Sequence, residues 1–303
     1  MKMNSLKSML VLSVVLMLIV LQMSCKKETP AVVQSPRLIF KFVLDSTQTR
    51  LNNIGQPATL KAGNAAISPI FNAIAAHYIE LAPSAFTLFG KGDIVYKGQE
   101  TSIGGSSAIL FDSLQSVKSG GTFFSIPLSK VNVGTYEWLR ISLAYQNYDI
   151  KLKYTYQNQA LYSKATIASF IGYNSYIKSY KISDNSLIIN ANKKQGYWGL
   201  ELPAQPPYLP TAQTYSGESA ATTVVNPISS SSPVPAGSCV VTGPFDQKLS
   251  ITGNETKDII VTVSLSTNKS FEWEDTKKDG WFEPAAGEKV VDMGVRGMKV
   301  SFK

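Results

Sequence analysis

Bulky apolar residues recur along this chain in short runs separated by Gly, Pro, Asn and Ser, not in long helical stripes. Leu38 to Leu44 reads as a strand because aliphatic and aromatic side chains dominate it. From Tyr136 to Tyr145, Leu139, Ile141 and Leu143 fall on one face at period two, while Arg140 and Ser142 fall on the other. Further strands are predicted over 77–81, 123–128, 149–156, 176–182, 186–191, 248–252, 258–265 and 298–302. Gly90, Gly92, Gly104-Gly105, Gly120-Gly121, Gly134 and Gly253-Asn254 punctuate them as turns. Only 69–76 offers a turn or two of helix. The pattern predicts an all-β chain, an antiparallel β-sandwich of the Ig-like or adhesin-like kind.

Residues 203–238 break the pattern with seven prolines and the Ser229 to Ser232 run, and read as a long irregular Pro/Ser-rich excursion. The expected organisation is one β domain over 37–303 that includes this excursion. The alternative is two β domains, 37–202 and 239–303. The second piece would then hold only three or four strands, which is marginal without a partner surface.

The first residues carry a separate signal. Lys2 and Lys7 precede an apolar run from Met9 to Leu21, interrupted only by Ser13. Thirteen residues suit a signal peptide and fall short of the ~18–20 that a membrane-spanning helix needs. The run ends in Leu21-Gln22-Met23-Ser24-Cys25. A small residue directly before a cysteine resembles the lipobox of bacterial lipoproteins. Gln22 and Met23 stand where that family favours an aliphatic and a small residue; looser boxes ending in Ser-Cys resemble those of Bacteroidota lipoproteins. Ser24-Cys25-Lys26-Lys27 carries the likeness to envelope lipoproteins of such bacteria.

The resemblance implies removal of 1–24 and acylation of Cys25 (a diacylglycerol on sulfur, palmitate-type chains). Residues 25–36 would form a tether, placing the protein in the cell envelope at the outer membrane. Two or more acyl chains make attachment stable where one is marginal. An ordinary secretory peptide and an uncleaved anchor are the competing readings. Asp45-Ser46-Thr47 and Asp112-Ser113-Leu114 likewise resemble O-glycosylation sites of such bacteria.

Composition narrows the chemistry. Hydrophobic residues make up 44% and charged residues 17%, enough for a core and too little charge for a disordered tail. Loss of Lys2 and Lys7 with the signal lowers the formal charge from +8 to +6. The basic residues are scattered, and the only arginines are Arg37, Arg50, Arg140 and Arg296, so nucleic acid is not an expected partner. One histidine excludes multi-His metal sites and two-histidine acid/base pairs. Two cysteines exclude a disulfide scaffold and a four-thiolate zinc site. With Cys25 acylated, Cys239 is left unpaired, and an oxidising envelope predicts it buried and inert.

Two constellations are candidate sites. Counting Asp275 as the first position of a calcium loop puts Asp279 fifth, Gly280 sixth, Trp281 seventh and Glu283 ninth. Lys277 stands third, where an oxygen is needed, and Ala286 twelfth; Glu288 would substitute from two residues later. The competing reading is an acidic hairpin turn neutralised by lysines. The second constellation is Tyr197, Trp198 and Tyr208 among Gly and Pro, rings that could stack on sugar C–H faces. The competing reading is that these rings cover the core. No catalytic residue is assigned: His77 stands alone and no Gly-x-Ser-x-Gly elbow is present.

The expected function is an exported, lipid-anchored envelope protein with a binding or structural role, capturing glycan or a partner protein. The alternative is a polysaccharide-acting hydrolase with paired carboxylates in an aromatic-lined cleft.

Overall fold

The computed structural model describes residues 35–52, 55–219 and 239–303. The signal segment 1–24, Cys25, the tether up to 34 and the 220–238 part of the excursion lie outside the described residues. The strands in chain order begin with β1 (Arg37–Asp45), β2 (Asn64–Ile67), β3 (Ile70–Ala82), β4 (Asp93–Lys97), β5 (Glu100–Thr101), β6 (Ala108–Leu110) and β7 (Ser116–Val117). They continue with β8 (Thr122–Pro127), β9 (Gly134–Tyr156), β10 (Gln159–Phe170), β11 (Asn174–Lys181), β12 (Ser186–Lys194) and β13 (Tyr197–Leu202). The last are β14 (Gln213–Glu218), β15 (Val240–Ile251), β16 (Ile259–Ser266), β17 (Phe271–Glu274), β18 (Val290–Asp292) and β19 (Met298–Phe302). Single 3-10 turns are the helical elements among the described residues.

The architecture is all-β. One 12-stranded sheet runs β14-β13-β10-β9-β15-β19-β16-β1-β8, with β3, β4 and β7 joined through β9. A four-stranded sheet, β12-β11-β6-β5, and a three-stranded sheet, β18-β17-β2, accompany it. Strand β9 is the organiser. Its one edge pairs β3; along the other, β15 and then β10 follow one another. It is buried without a break from Leu139 to Ile150, because neighbours cover both its faces. That double cover is why Arg140, Ser142, Gln146, Asn147 and Asp149 are buried although they interrupt an apolar sequence.

The largest core gathers Phe40 and Phe42 of β1, Ile79 and Leu81 of β3, and Ile141 and Leu143 of β9. Each such side chain contributes ~1.5–3 kcal/mol on burial. A second core holds Tyr148, Ile150, Phe271, Trp273 and Phe282 beneath the three-stranded sheet. A third stacks Phe170, Tyr180 and Tyr197 under β11 and β12.

Several expectations are corrected. The sheets are mixed, not purely antiparallel: β1 runs parallel to β16, β15 to β19 and β6 to β11. These partners are distant in sequence, so no local turn announces their direction. The predicted helical turn over 69–76 is strand, since Ile70 to Ala82 pairs with β9 and that pairing overrides the helix propensity of its alanines. The predicted strands 136–145 and 149–156 form one 23-residue strand. Part of the excursion is regular: β14 pairs residue for residue with β13 as an edge strand.

Candidate functional site

Strand alternation decides where the predicted aromatic residues go. On β13, Trp198 and Leu200 point to one face, while Tyr197 and Glu201 point to the other. Tyr197 therefore enters the third core, 3% exposed, with its ring 5.6 Å from Phe170 and 6.0 Å from Tyr180. Lys193 lies over it at 4.7 Å. Tyr208 is exposed elsewhere, edge-on to Tyr156 at 6.1 Å. The three rings thus do not share a platform; the period-two geometry of β13 forbids it for Tyr197 and Trp198.

Trp198 instead lines an open cleft of about 610 Å3. Its apolar wall is built by Ile167 and Leu200, paired across β10 and β13, and by Phe282 and Met293. The half-buried indole lies against β14 at Gly217, where a Cβ would come within 2.7 Å of Cζ2. Any side chain at Gly217 would have to displace the ring. The rim carries Glu218 at the end of β14, Glu274 at the end of β17, and Lys289, all exposed. Pro284 and Glu288 of the acidic turn complete it. The aromatic and acidic constellations, some 80 residues apart in sequence, thus meet at one cleft through Trp198 and Glu288.

Within the turn, the acids already have partners. Asp275 accepts the backbone N–H groups of Asp279 at 3.2 Å and Gly280 at 2.9 Å. Lys153, from β9, bridges Asp279 and Glu283, the latter at 2.9 Å, and Lys277 reaches Glu283 at 2.5 Å. Glu288 accepts the N–H of Thr276 at 3.1 Å and of Glu283 at 2.6 Å. Trp281 packs on Tyr162 with centroids 4.6 Å apart. Burial opposes the charge on Glu283, yet Lys277 and Lys153 outweigh it and hold its carboxyl below the usual range. The hydrogen bond from Lys153 lowers Asp279 in the same way and raises Lys153 itself. The five predicted calcium positions are therefore close together, but two ammonium groups serve Asp279 and Glu283, and backbone N–H groups serve Asp275 and Glu288. Among the described residues, no group of three or more His, Cys, Asp or Glu side chains is arranged to hold a metal ion. Lys153 lies more than 120 residues from the turn and no spacing rule points to it.

Cys239 is buried, with its sulfur 3.1 Å from Ser142 Oγ, and burial pushes its thiol pKa up. The expected burial of this cysteine is thus met.

His77 departs from the regular strand read from sequence. The β3–β9 register slips between Ala76 and Tyr78, a bulge at His77. His77 and Tyr78 consequently line one cavity, where a regular strand would send them to opposite faces. Protein families, curated proteins and solved structures were each compared with the chain, and none matches it.

Proposed function

We propose that the protein is an exported lipoprotein, held in the cell envelope at the outer membrane by acyl chains on Cys25, and that it binds neutral saccharide in the Trp198 cleft. The layered sheets fit a β-sandwich of the adhesin-like kind, a fold that presents loops and edge strands away from an anchored end. The observation that carries the binding reading is the half-buried Trp198 ring set in an open cleft with exposed carboxylates on its rim. An aromatic face stacks on sugar C–H groups while Glu218 and Glu274 accept hydroxyl hydrogens. Carboxylates on the rim disfavour anionic glycans and favour neutral ones.

Binding is preferred to hydrolysis because the one buried carboxylate at the cleft is already engaged. A glycosidase needs one carboxyl group held protonated near neutral pH. Glu288 lines the cleft but spends both oxygens on backbone N–H groups.

The test is a glycan array probed with the wild-type chain and with Trp198→Ala. Retention of neutral oligosaccharides by the wild type and their loss in the variant supports the reading. No sugar signal, or identical signals from both proteins, contradicts it. Anchoring is tested separately: Cys25→Ala moves the protein from the membrane to the soluble fraction if the acyl chains hold it there.

A further inference from the structure

A second cavity, of about 500 Å3, opens where β3, β4, β9 and the start of β15 meet, and it shares no lining residue with the Trp198 cleft. We propose that this cavity binds an uncharged, flat aromatic molecule carrying a hydrogen-bond-accepting oxygen.

Three observations select that chemistry. The first is the wall. Tyr78 and Phe89 lie 5.3 Å apart, and His77 and Tyr173 5.9 Å apart, so two pairs of rings line the cavity. Phe89 and Tyr173 are each 43% exposed at the mouth, apolar surface that an entering ring would cover. The second is charge. Lys97 and His77 both approach Glu100 Oε1, at 3.3 and 3.1 Å, so the rim's ions are spent on one another and offer no net charge to an ionic ligand. Burial also pulls the His77 pKa down, ahead of the opposing pull of Glu100, and keeps the imidazole neutral near pH 7. The third is a buried phenol donor in the wall. Ser142 and Cys239 satisfy one another at the floor. The Tyr78 hydroxyl is buried in a side chain only 6% exposed, lies near Glu80, and makes no hydrogen bond of good geometry. A phenol held protonated in such a place donates to a ligand oxygen.

The cavity is also held open in advance. Arg140 grips the carbonyls of Ala85 and Thr87, and Glu80 the N–H of Gly92, so the loop bearing Phe89 is tied to the sheet from beneath. Little loop ordering then opposes binding.

The experiment is a calorimetric titration of the full-length chain with 2-acetylnaphthalene, a flat, neutral ring system with one carbonyl acceptor. Saturable binding with a Kd of about 0.1 mM or tighter is expected. Tyr78→Phe keeps the ring and removes the donor, and should weaken binding about fivefold. Phe89→Ala removes a wall ring from a partly exposed position and should weaken it about tenfold. Trp198→Ala should leave it unchanged, which separates this site from the saccharide cleft. Absence of saturable binding, an unaltered Kd in Tyr78→Phe, or loss of binding in Trp198→Ala would each overturn the proposal.

Discussion

Arg140 and Glu80 form an ion pair with both side chains wholly out of water. Arg140 Nη1 lies 3.4 Å from Glu80 Oε2, and Nη2 donates to the carbonyls of Ala85 at 3.3 Å and Thr87 at 2.7 Å. Glu80 Oε1 accepts the N–H of Gly92 at 2.6 Å. Taking either ion from water costs several kcal/mol, which the partner and these backbone groups offset. Arg140→Met leaves the carboxylate buried without its partner and orphans two carbonyls. The predicted loss is about 3–5 kcal/mol, a large share of the ~5–15 kcal/mol that stabilises an ordinary fold. Glu80→Gln removes charge but keeps an acceptor for Gly92, and should cost less, about 1–3 kcal/mol. The two changes should also be non-additive: in the Glu80→Gln background, Arg140→Met should cost at least ~1 kcal/mol less than in the wild type, because no naked carboxylate remains. Urea unfolding followed by tryptophan fluorescence, with linear extrapolation, measures all four corners of this cycle. An Arg140→Met loss below ~1 kcal/mol, or strict additivity, would refute the view that this pair clamps the loop.

Calcium should leave the melting temperature unchanged, because Lys153 and Lys277 already neutralise Asp279 and Glu283; a shift that rises with calcium concentration would show that the ion displaces them. Glu201 should make the fold acid-sensitive. Burial opposes its charge, but the N–H groups of Asn185, Ser183 and Asp184 outweigh burial and lower its pKa in the folded state. Its contribution is therefore complete above the ordinary carboxyl value of 4.5 and is lost as pH falls below it through the lowered folded value. Glu201→Gln should flatten the stability–pH slope in that window, and an unchanged slope would contradict the assignment. Cys239, buried and with a raised pKa, should resist iodoacetamide in the native protein and react on unfolding in urea; equal rates in both states would show an accessible thiol.

What could be read from sequence was whatever rests on local pattern. Leu38 to Leu44, and Leu139 with Ile141 and Leu143, declare strands because bulky side chains repeat at period two. Cys239 is buried, as expected of a cysteine left without a disulfide partner. What escaped depends on distant partners. The alanines of β3 suit a helix until β9 lies alongside. The parallel pairing of β1 with β16 joins segments more than 200 residues apart. Gln213 to Glu218 looks irregular amid its prolines, yet β13 offers it an edge. At the cleft, Trp198 and the acidic turn are each visible in sequence, but their meeting is not. Lys153 reaches that turn only because β9 runs 23 residues without interruption. The bulge that sets His77 beside Tyr78, one of several register shifts along β3, leaves no mark in the sequence.

The central claim, that saccharide is held on the Trp198 face of β13, is most directly tested by calorimetric titration of wild-type, Trp198→Ala and Tyr208→Ala proteins with a neutral oligosaccharide retained on the array. The account predicts that Trp198→Ala weakens binding about 30-fold or more while Tyr208→Ala leaves it within about twofold. Binding that survives loss of the indole, or that depends on Tyr208 instead, would contradict it.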